Sequence, residues 1–525
     1  MYELPDEVTV IFPTTRILMG QSAWDRTIGT EQDLLTPEGL PDYLAHVLAP
    51  HHLPWLPDLA RLELLCHRSM MAAIPPQEER STLCLNPSLE LATLGWRNLP
   101  PLVTSTAQEH LAQVAEGEEL VAVWRAPSSG TLRCEAAKPE QLLAIKLIAE
   151  EISPEQAARA AGVSVAVIDD LLRAAIHSGI LLSPPSRLRR PTDRAAAEVF
   201  TLQWHLTQSC DLSCKHCYDR SHRSDFPFDR AATLLEELRD FCRRRCVRPQ
   251  VTLTGGNPLL HPRFFDLYQA AADQGSMIAI LGNACDRATL ERILAIQTPV
   301  YYQVSLEGLE QHNDEIRGAG NYRRTVAFLK LLTEMGIPNL VMLTLTRANL
   351  DQVIPLGRAL TGITGGLAFN RLALFGEGAK LALPGIEEYQ AFLNDYAAAL
   401  PEIPVLALKD SLLNTVFEHQ EQPLFGGCAG FGCGAAFNFL SILSDGEVHA
   451  CRKLPSFLGN IQEQSLETIY GSELATHYRS GSTACSGCDL RSVCGGCMAV
   501  TASFGLDPFT CKDPYCLKKA ADASA

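Results

Sequence analysis

The chain has 525 residues, 46% of them hydrophobic and 20% charged, with a net charge of −16 and 18 cysteines. At roughly 150 residues per domain this length predicts three or four domains, and the acidic balance argues against a general affinity for nucleic acid, which needs Lys and Arg to displace counterions from phosphates. No apolar run reaches the ~18 residues of a membrane helix, and the opening Met1-Tyr2-Glu3-Leu4-Pro5-Asp6-Glu7 has neither the basic nor the apolar segment of a secretory signal, so a cytoplasmic protein with no membrane partner is expected. In a reducing cytosol thiols serve metals or catalysis rather than disulfides, and nine of the cysteines crowd between Cys428 and Cys516.

Residues 1–118 read as a mostly helical region of unassigned role, with one amphipathic stretch from Leu56 to Leu65. Cys66 and Cys84 lack metal-ligand spacing there and are expected to be ordinary buried thiols. Residues 119–190 change pattern. Leu120-Val121-Ala122-Val123-Trp124-Arg125 and Thr131-Leu132-Arg133-Cys134-Glu135 flank Pro127-Ser128-Ser129-Gly130, a hairpin signal. Three helices follow, the second opened by the capping box Ser153-Pro154-Glu155-Gln156, the third presenting Ile168, Leu171, Leu172, Ala175 and Ile176 on one face and stopping at Gly179. Such a unit can bind DNA, but Asp169 and Asp170 lie where phosphates would need cations.

Over 197–400 strands and helices alternate. Strands are predicted at Leu202–Thr207, Val251–Thr254, Met277–Leu281, Tyr301–Leu306, Leu340–Thr346 and Leu367–Phe375, with helices including Arg230–Cys246, Tyr322–Met335 and Glu387–Leu400. Six βα units imply an α/β domain of parallel strands with outer helices and a site at the strands' carboxyl ends. Directly after the first strand stands Cys210-Asp211-Leu212-Ser213-Cys214-Lys215-His216-Cys217-Tyr218. Three close thiolates can hold three irons of a 4Fe–4S cluster and leave the fourth open to a small molecule; the alternative is a zinc knuckle borrowing His216 or a distant cysteine.

This spacing, closed by the aromatic Tyr218, resembles the radical S-adenosylmethionine (radical SAM) family. The resemblance implies an open six-unit partial barrel, SAM chelated at the free iron, and its reductive cleavage to a 5′-deoxyadenosyl radical that takes hydrogen from substrate. It also implies an external electron donor such as flavodoxin or ferredoxin. Its SAM contacts carry over to Tyr218, to Gly255, Gly256 and Asn257 of Gly-Gly-Asn-Pro, to Asn283, to Ser305 and Arg317, and to Arg371. Asn257 departs from the family's Gly-Gly-Glu-Pro and forfeits a charge-assisted bond to the SAM ammonium. Cys285, at a strand's carboxyl end, is the catalytic candidate, and Cys242 and Cys246 read as packing on an outer helix.

The cysteines of 426–520 run Cys428-x4-Cys433, Cys451, Cys485-x2-Cys488-x5-Cys494-x2-Cys497, Cys511, Cys516. Their order resembles the SPASM extension, which holds two auxiliary 4Fe–4S clusters. The resemblance assigns Cys428, Cys433, Cys451 and Cys497 to the inner one and Cys485, Cys488, Cys494 with either Cys511 or Cys516 to the outer; two zinc sites are the alternative. The hairpin and three helices resemble the winged-helix-like modules that bind the leader of a ribosomally made precursor peptide as an added strand. Together these imply a peptide maturase, by layout similar to the selenobiotic (thio- or selenooxazole) family. A sulfatase-maturing enzyme would carry an aspartate after Cys451, where Arg452 and Lys453 stand. An iron–sulfur redox sensor binding DNA is the alternative outside enzymes.

Overall fold

The computed structural model describes residues 7–28, 36–47, 53–193, 195–224 and 226–518; residues 1–6, on which the reading of no secretory signal rests, lie outside these, as do 519 and 520 of the predicted cysteine-rich domain. The chain divides into two compact units, Met1–Pro185 and Ser186–Ala525.

In the first unit, helix α1 (Leu56–Met71) packs on an antiparallel sheet of β1 (Glu90–Arg97), β2 (Ala115–Arg125) and β3 (Leu132–Ala136), in that order. The run Leu120 to Trp124 is apolar without interruption, a pattern a strand supports only with both faces covered. Val121 and Val123 share a core with Leu94 and with Leu59, Leu62 and Leu65 of α1. The alternate residues Ala122 and Trp124 pack on the opposite face with residues of three helices, α2 (Pro139–Ala149), α3 (Pro154–Ala161) and α4 (Val165–Ser178). The predicted capping box forms: Ser153 Oγ accepts from Gln156 N at 3.2 Å, and the Gln156 side chain accepts from Ser153 N at 2.9 Å. Strand β1 falls inside the segment read as helical, and β2 begins at Ala115, so the predicted boundary at residue 118 runs through a strand paired on both sides. The strand is weakly written because Leu94 is its one buried residue.

The second unit is built on a nine-stranded sheet. Its strands are β4 (Val199–Thr207), β5 (Arg248–Gly255), β6 (Met277–Leu281), β7 (Tyr301–Ser305), β8 (Asn339–Leu345), β9 (Leu367–Arg371), β10 (Phe439–Ile442), β11 (Glu447–Cys451) and β12 (Leu454–Asn460), ordered β9-β8-β7-β6-β5-β4-β10-β11-β12. From β4 to β9 every neighbour pair is parallel. Period-two alternation gives β4 two different faces. Phe200, Leu202, Trp204 and Leu206 join the core with Leu234, Leu238 and Phe241 of helix α5 (Phe228–Arg245), the Phe200 and Phe241 rings lying 4.5 Å apart. Cys242 is buried in α5, whereas Cys246 ends it in the left-handed conformation, so the two do not pinch a metal along one helical face.

Beyond β9 the chain returns to the other edge of the parallel set. Strand β10 pairs parallel with β4, matching Leu440 to Leu202 and Ile442 to Trp204, and the antiparallel β11 and β12 extend the sheet. The strand leading to Cys210 and the strand ending at Cys451 therefore belong to one sheet. No helix among the described residues is long and apolar enough to cross a membrane.

Candidate active site

The polar face of the parallel strands opens on a cavity of about 420 Å³. All six contribute near their carboxyl ends: His205 from β4, Thr254 from β5, Leu281 from β6, Gln303 and Ser305 from β7, Met342 and Thr344 from β8, Asn370 from β9. Cys210, Cys214 and Cys217 line the same cavity, with Tyr218, Gly255, Gly256, Asn283, Arg317, Arg452 and Lys453.

The loop carrying the three thiols is strapped from below. Gly256 N donates to the Thr207 carbonyl and Asn257 N to that of Ser209, both at 2.8 Å. A Cβ on Gly256 would stand 2.3 Å from the Ser209 oxygen, so the turn passes closer than any side chain allows. Gly256→Ala is expected to cost about 1–3 kcal/mol and to push the loop outward. Iron content after reconstitution and the unfolding midpoint should both fall; if neither moved, the approach would not be needed. On the other side Glu377 N donates to the Cys217 carbonyl at 2.9 Å, and Gly376, at φ +58, leaves no room for a Cβ beside the Tyr218 carbonyl.

Asn257 is buried and turned to Asp211 of the same loop, its amide donating to Asp211 Oδ1 at 3.0 Å. Asn283 donates to the same oxygen at 2.6 Å and Arg324 to Oδ2 at 3.2 Å. Burial opposes the Asp211 charge, but the Asn283 and Asn257 amides and Arg324 hold its carboxyl below the usual range. The departure at position 257 thus has a local cause: a glutamate there would set one carboxylate against another. Asn257 itself does not line the cavity.

Arg317 is buried, and Nη1 donates to Glu307 Oε1 at 2.9 Å. Glu307 accepts from Thr344 N at 2.9 Å on its other oxygen, and His216 Nε2 lies 3.3 Å from Oε1. Burial works against the Arg317 charge, and Cys214 with Glu307 more than restores it. Its Nε is buried with no partner. The Tyr218 hydroxyl lies 2.9 Å from Nε2 of buried His205, whose pKa is pushed down to about 3 by desolvation and then by Arg452, leaving the imidazole neutral.

Two of the expected site residues are engaged elsewhere in the structure. Arg371 lines the cavity, but its guanidinium is committed elsewhere: Nε donates to Asp410, Nη1 and Nη2 to the two oxygens of Asp513, each at 2.8 Å. It is no free cation for a SAM carboxylate. Cys285 does not line the cavity and packs against the core, its thiol pushed up to about 12 chiefly by desolvation.

The remaining cysteines fall into two sets. Cys428, Cys433, Cys451 and Cys497 line one cavity, and Cys485, Cys488, Cys494 and Cys516 line another; Cys511 lines neither. Asp513 connects them, accepting from Cys497 N at 2.8 Å and lining the second cavity together with Cys516. Among the described residues no three His, Cys, Asp or Glu groups close on a single-ion position. Thiols around a cavity, the glycine approach beneath them and the orphaned Arg317 Nε fit a larger iron–sulfur group with an anionic ligand beside it. Asp211, Glu307 and His205 are site residues that sequence reasoning missed, although Asp211 and Glu307 lie inside the motifs themselves; Arg452 was marked only by the charge it places after Cys451.

Comparison with known proteins defines the class. The model of the radical SAM superfamily matches residues 204–356, and that of the SPASM iron-sulfur cluster-binding domain matches 433–497. The chain is a radical SAM enzyme with a SPASM domain, and SAM and iron–sulfur clusters are its cofactors. Among curated relatives it is 25% identical over 346 residues to the AdoMet-dependent heme synthase of Methanosarcina barkeri, covering 60% of this chain and 95% of that one. It is 28% identical over 354 residues to mycofactocin maturase MftC of Mycolicibacterium smegmatis, covering 64% and 87%. The solved structure of Streptococcus suis SuiB bound to S-adenosylmethionine superposes with a TM-score of 0.50 at 18% identity, over 76% of this chain and 97% of that one, a likeness of fold.

Proposed function

We propose that the chain matures a ribosomally made peptide by radical chemistry, with three 4Fe–4S clusters. In this reading Cys210, Cys214 and Cys217 hold the SAM-binding cluster. Cys428, Cys433, Cys451 and Cys497 hold the inner auxiliary cluster, and Cys485, Cys488, Cys494 and Cys516 the outer one. One arrangement supports it: the carboxyl ends of all six parallel strands, forming a six-unit partial barrel, converge over the first thiol set, with the second set reached through Lys453, which lines both cavities. When bound, these groups supply a 5′-deoxyadenosyl radical and an electron path. The chain's own residues hold and orient: Glu307 fixes Arg317 beside Cys214, and Asp211 with Asn257 and Asn283 fixes the approach to Cys210. The external donor is a flavodoxin or ferredoxin.

Anaerobic reconstitution with iron and sulfide should load about 12 irons per chain and, on reduction with SAM, release 5′-deoxyadenosine. Stoichiometric zinc without SAM cleavage would end the reading.

The leader of the peptide docks on the first unit, whose hairpin and three helices are winged-helix-like and whose outer strand β3 offers it an edge. The maturase name of the relative MftC agrees with a peptide substrate. DNA binding is disfavoured because the arginine of α4, Arg173, is paired with Asp170. Exposed Ala136 ends β3, and its neighbour Ala137 N already donates to the Leu120 carbonyl at 2.8 Å. Ala136→Pro should leave that bond, remove a donor from the edge and weaken leader affinity about tenfold by calorimetry, using the leader encoded by a short reading frame beside the gene. Undiminished affinity would move docking off this edge.

A further inference from the structure

One cation of the active-site cavity has no counterpart among the described residues. Arg452 lines the cavity, and its charge is felt at His205, Tyr218 and Tyr301, yet among the described residues it makes no hydrogen bond or ion pair. The other lining guanidiniums are committed: Arg317 to Glu307, Arg371 to Asp410 and Asp513, Arg220 to the Cys214 carbonyl. Beside Arg452, the Lys453 ammonium lies 3.4 Å from the Arg371 carbonyl, a weak hold for a charge. The one acid lining the cavity, Asp219, is taken by Gln208, Ser221 and Arg223. His205 stays neutral and offers no negative charge.

A half-buried guanidinium with no side-chain partner among the described residues is poised for a planar anion, which it binds through two parallel hydrogen bonds. We propose that Arg452, assisted by Lys453, binds a carboxylate of the substrate, so that the residue to be modified enters the cavity carrying an acidic side chain or the chain-terminal carboxyl. This rests on the peptide-maturase reading and narrows its substrate class. The feature sits where a sulfatase-maturing enzyme would place an aspartate, and it reverses the sign of the charge offered.

The test uses the full chain, reconstituted and loaded with SAM, in equilibrium dialysis against small probes. N-acetylglutamate methylamide carries a side-chain carboxylate and N-acetylglutamine methylamide is its neutral twin. N-acetylalanine carries a terminal carboxylate and N-acetylalanine methylamide is its neutral twin. One carboxylate probe should bind at least tenfold better than its twin, and which one does so identifies the source. Arg452→Gln should abolish the preference with iron content and SAM affinity unchanged, and Lys453→Gln should reduce it less. Equal binding within both pairs would overturn the proposal. So would an Arg452→Gln variant that loses SAM affinity, which would assign the arginine to the SAM carboxylate, or one that alters the cluster absorption while the preference survives. A carboxylate preference without leader binding would sink the peptide reading alone; leader binding without the preference would sink this proposal alone.

Discussion

Arg371→Met is expected to lower the unfolding midpoint by roughly 5–10 °C, from a loss of about 3–5 kcal/mol. The arginine is 3% exposed and faces Asp410 and Asp513, themselves 8% and 5% exposed, so removing it strands two carboxylates away from water. The penalty comes less from the lost attraction than from the uncompensated charge left behind. Acidity should relieve it. In the native chain Asp513 is held below its ordinary pKa, because Arg371 and the Tyr515 and Cys497 amides outweigh burial. Its contribution is therefore present above the unfolded carboxyl pKa and fades as pH falls through the lower folded one. In the variant only the Tyr515 and Cys497 amides still oppose burial, so that pKa rises, protonation relieves the stranded charge, and the two stabilities converge as pH drops from 8 toward 5. Scanning calorimetry under anaerobic conditions at both pH values reads this directly. A pH-independent difference would assign the arginine to packing.

Cys214→Ala should abolish reductive SAM cleavage, by at least about 10³-fold in 5′-deoxyadenosine release, and remove about 4 of the irons. The thiol is half-buried beside Arg317, which partly offsets the desolvation that raises its pKa. The same iron count separates the two late cysteines. Cys516→Ser should lose about 4 irons and Cys511→Ser none, since Cys516 shares a cavity with Cys485, Cys488 and Cys494 while Cys511 borders none of the three. Loss on Cys511→Ser would reverse the assignment. Cleavage should survive both changes, because the first thiol set lies in another cavity.

What the sequence disclosed follows how local each signal is. The strand Met277–Leu281 is legible to the residue, because a buried parallel strand is a short apolar run bounded by breakers. The capping box at Ser153 is likewise written in four consecutive residues. Strand β1 was missed because its inward set holds one buried leucine, Leu94, while the apolar Leu91 faces outward and blurs the alternation. The ion pairs of Arg371 were not legible because its partners stand 39 and 142 residues away, a distance over which no spacing rule operates. Asn257 looked like a defect when seen alone. It became intelligible once folding set it against Asp211, 46 residues earlier. Motifs located the site; the pairings that tune it are long-range and are set only by the fold.

The parallel pairing of β10 with β4 also fixes when the protein can finish folding. During synthesis β4 emerges more than 200 residues before Phe439, its partner for Thr201, and until then its outer edge carries open backbone donors and acceptors. The cysteine-rich end must therefore dock onto a sheet long since assembled, a late closure of high contact order. A chain stopped before Phe439 would keep that edge exposed and aggregate, so early termination threatens solubility before it touches chemistry.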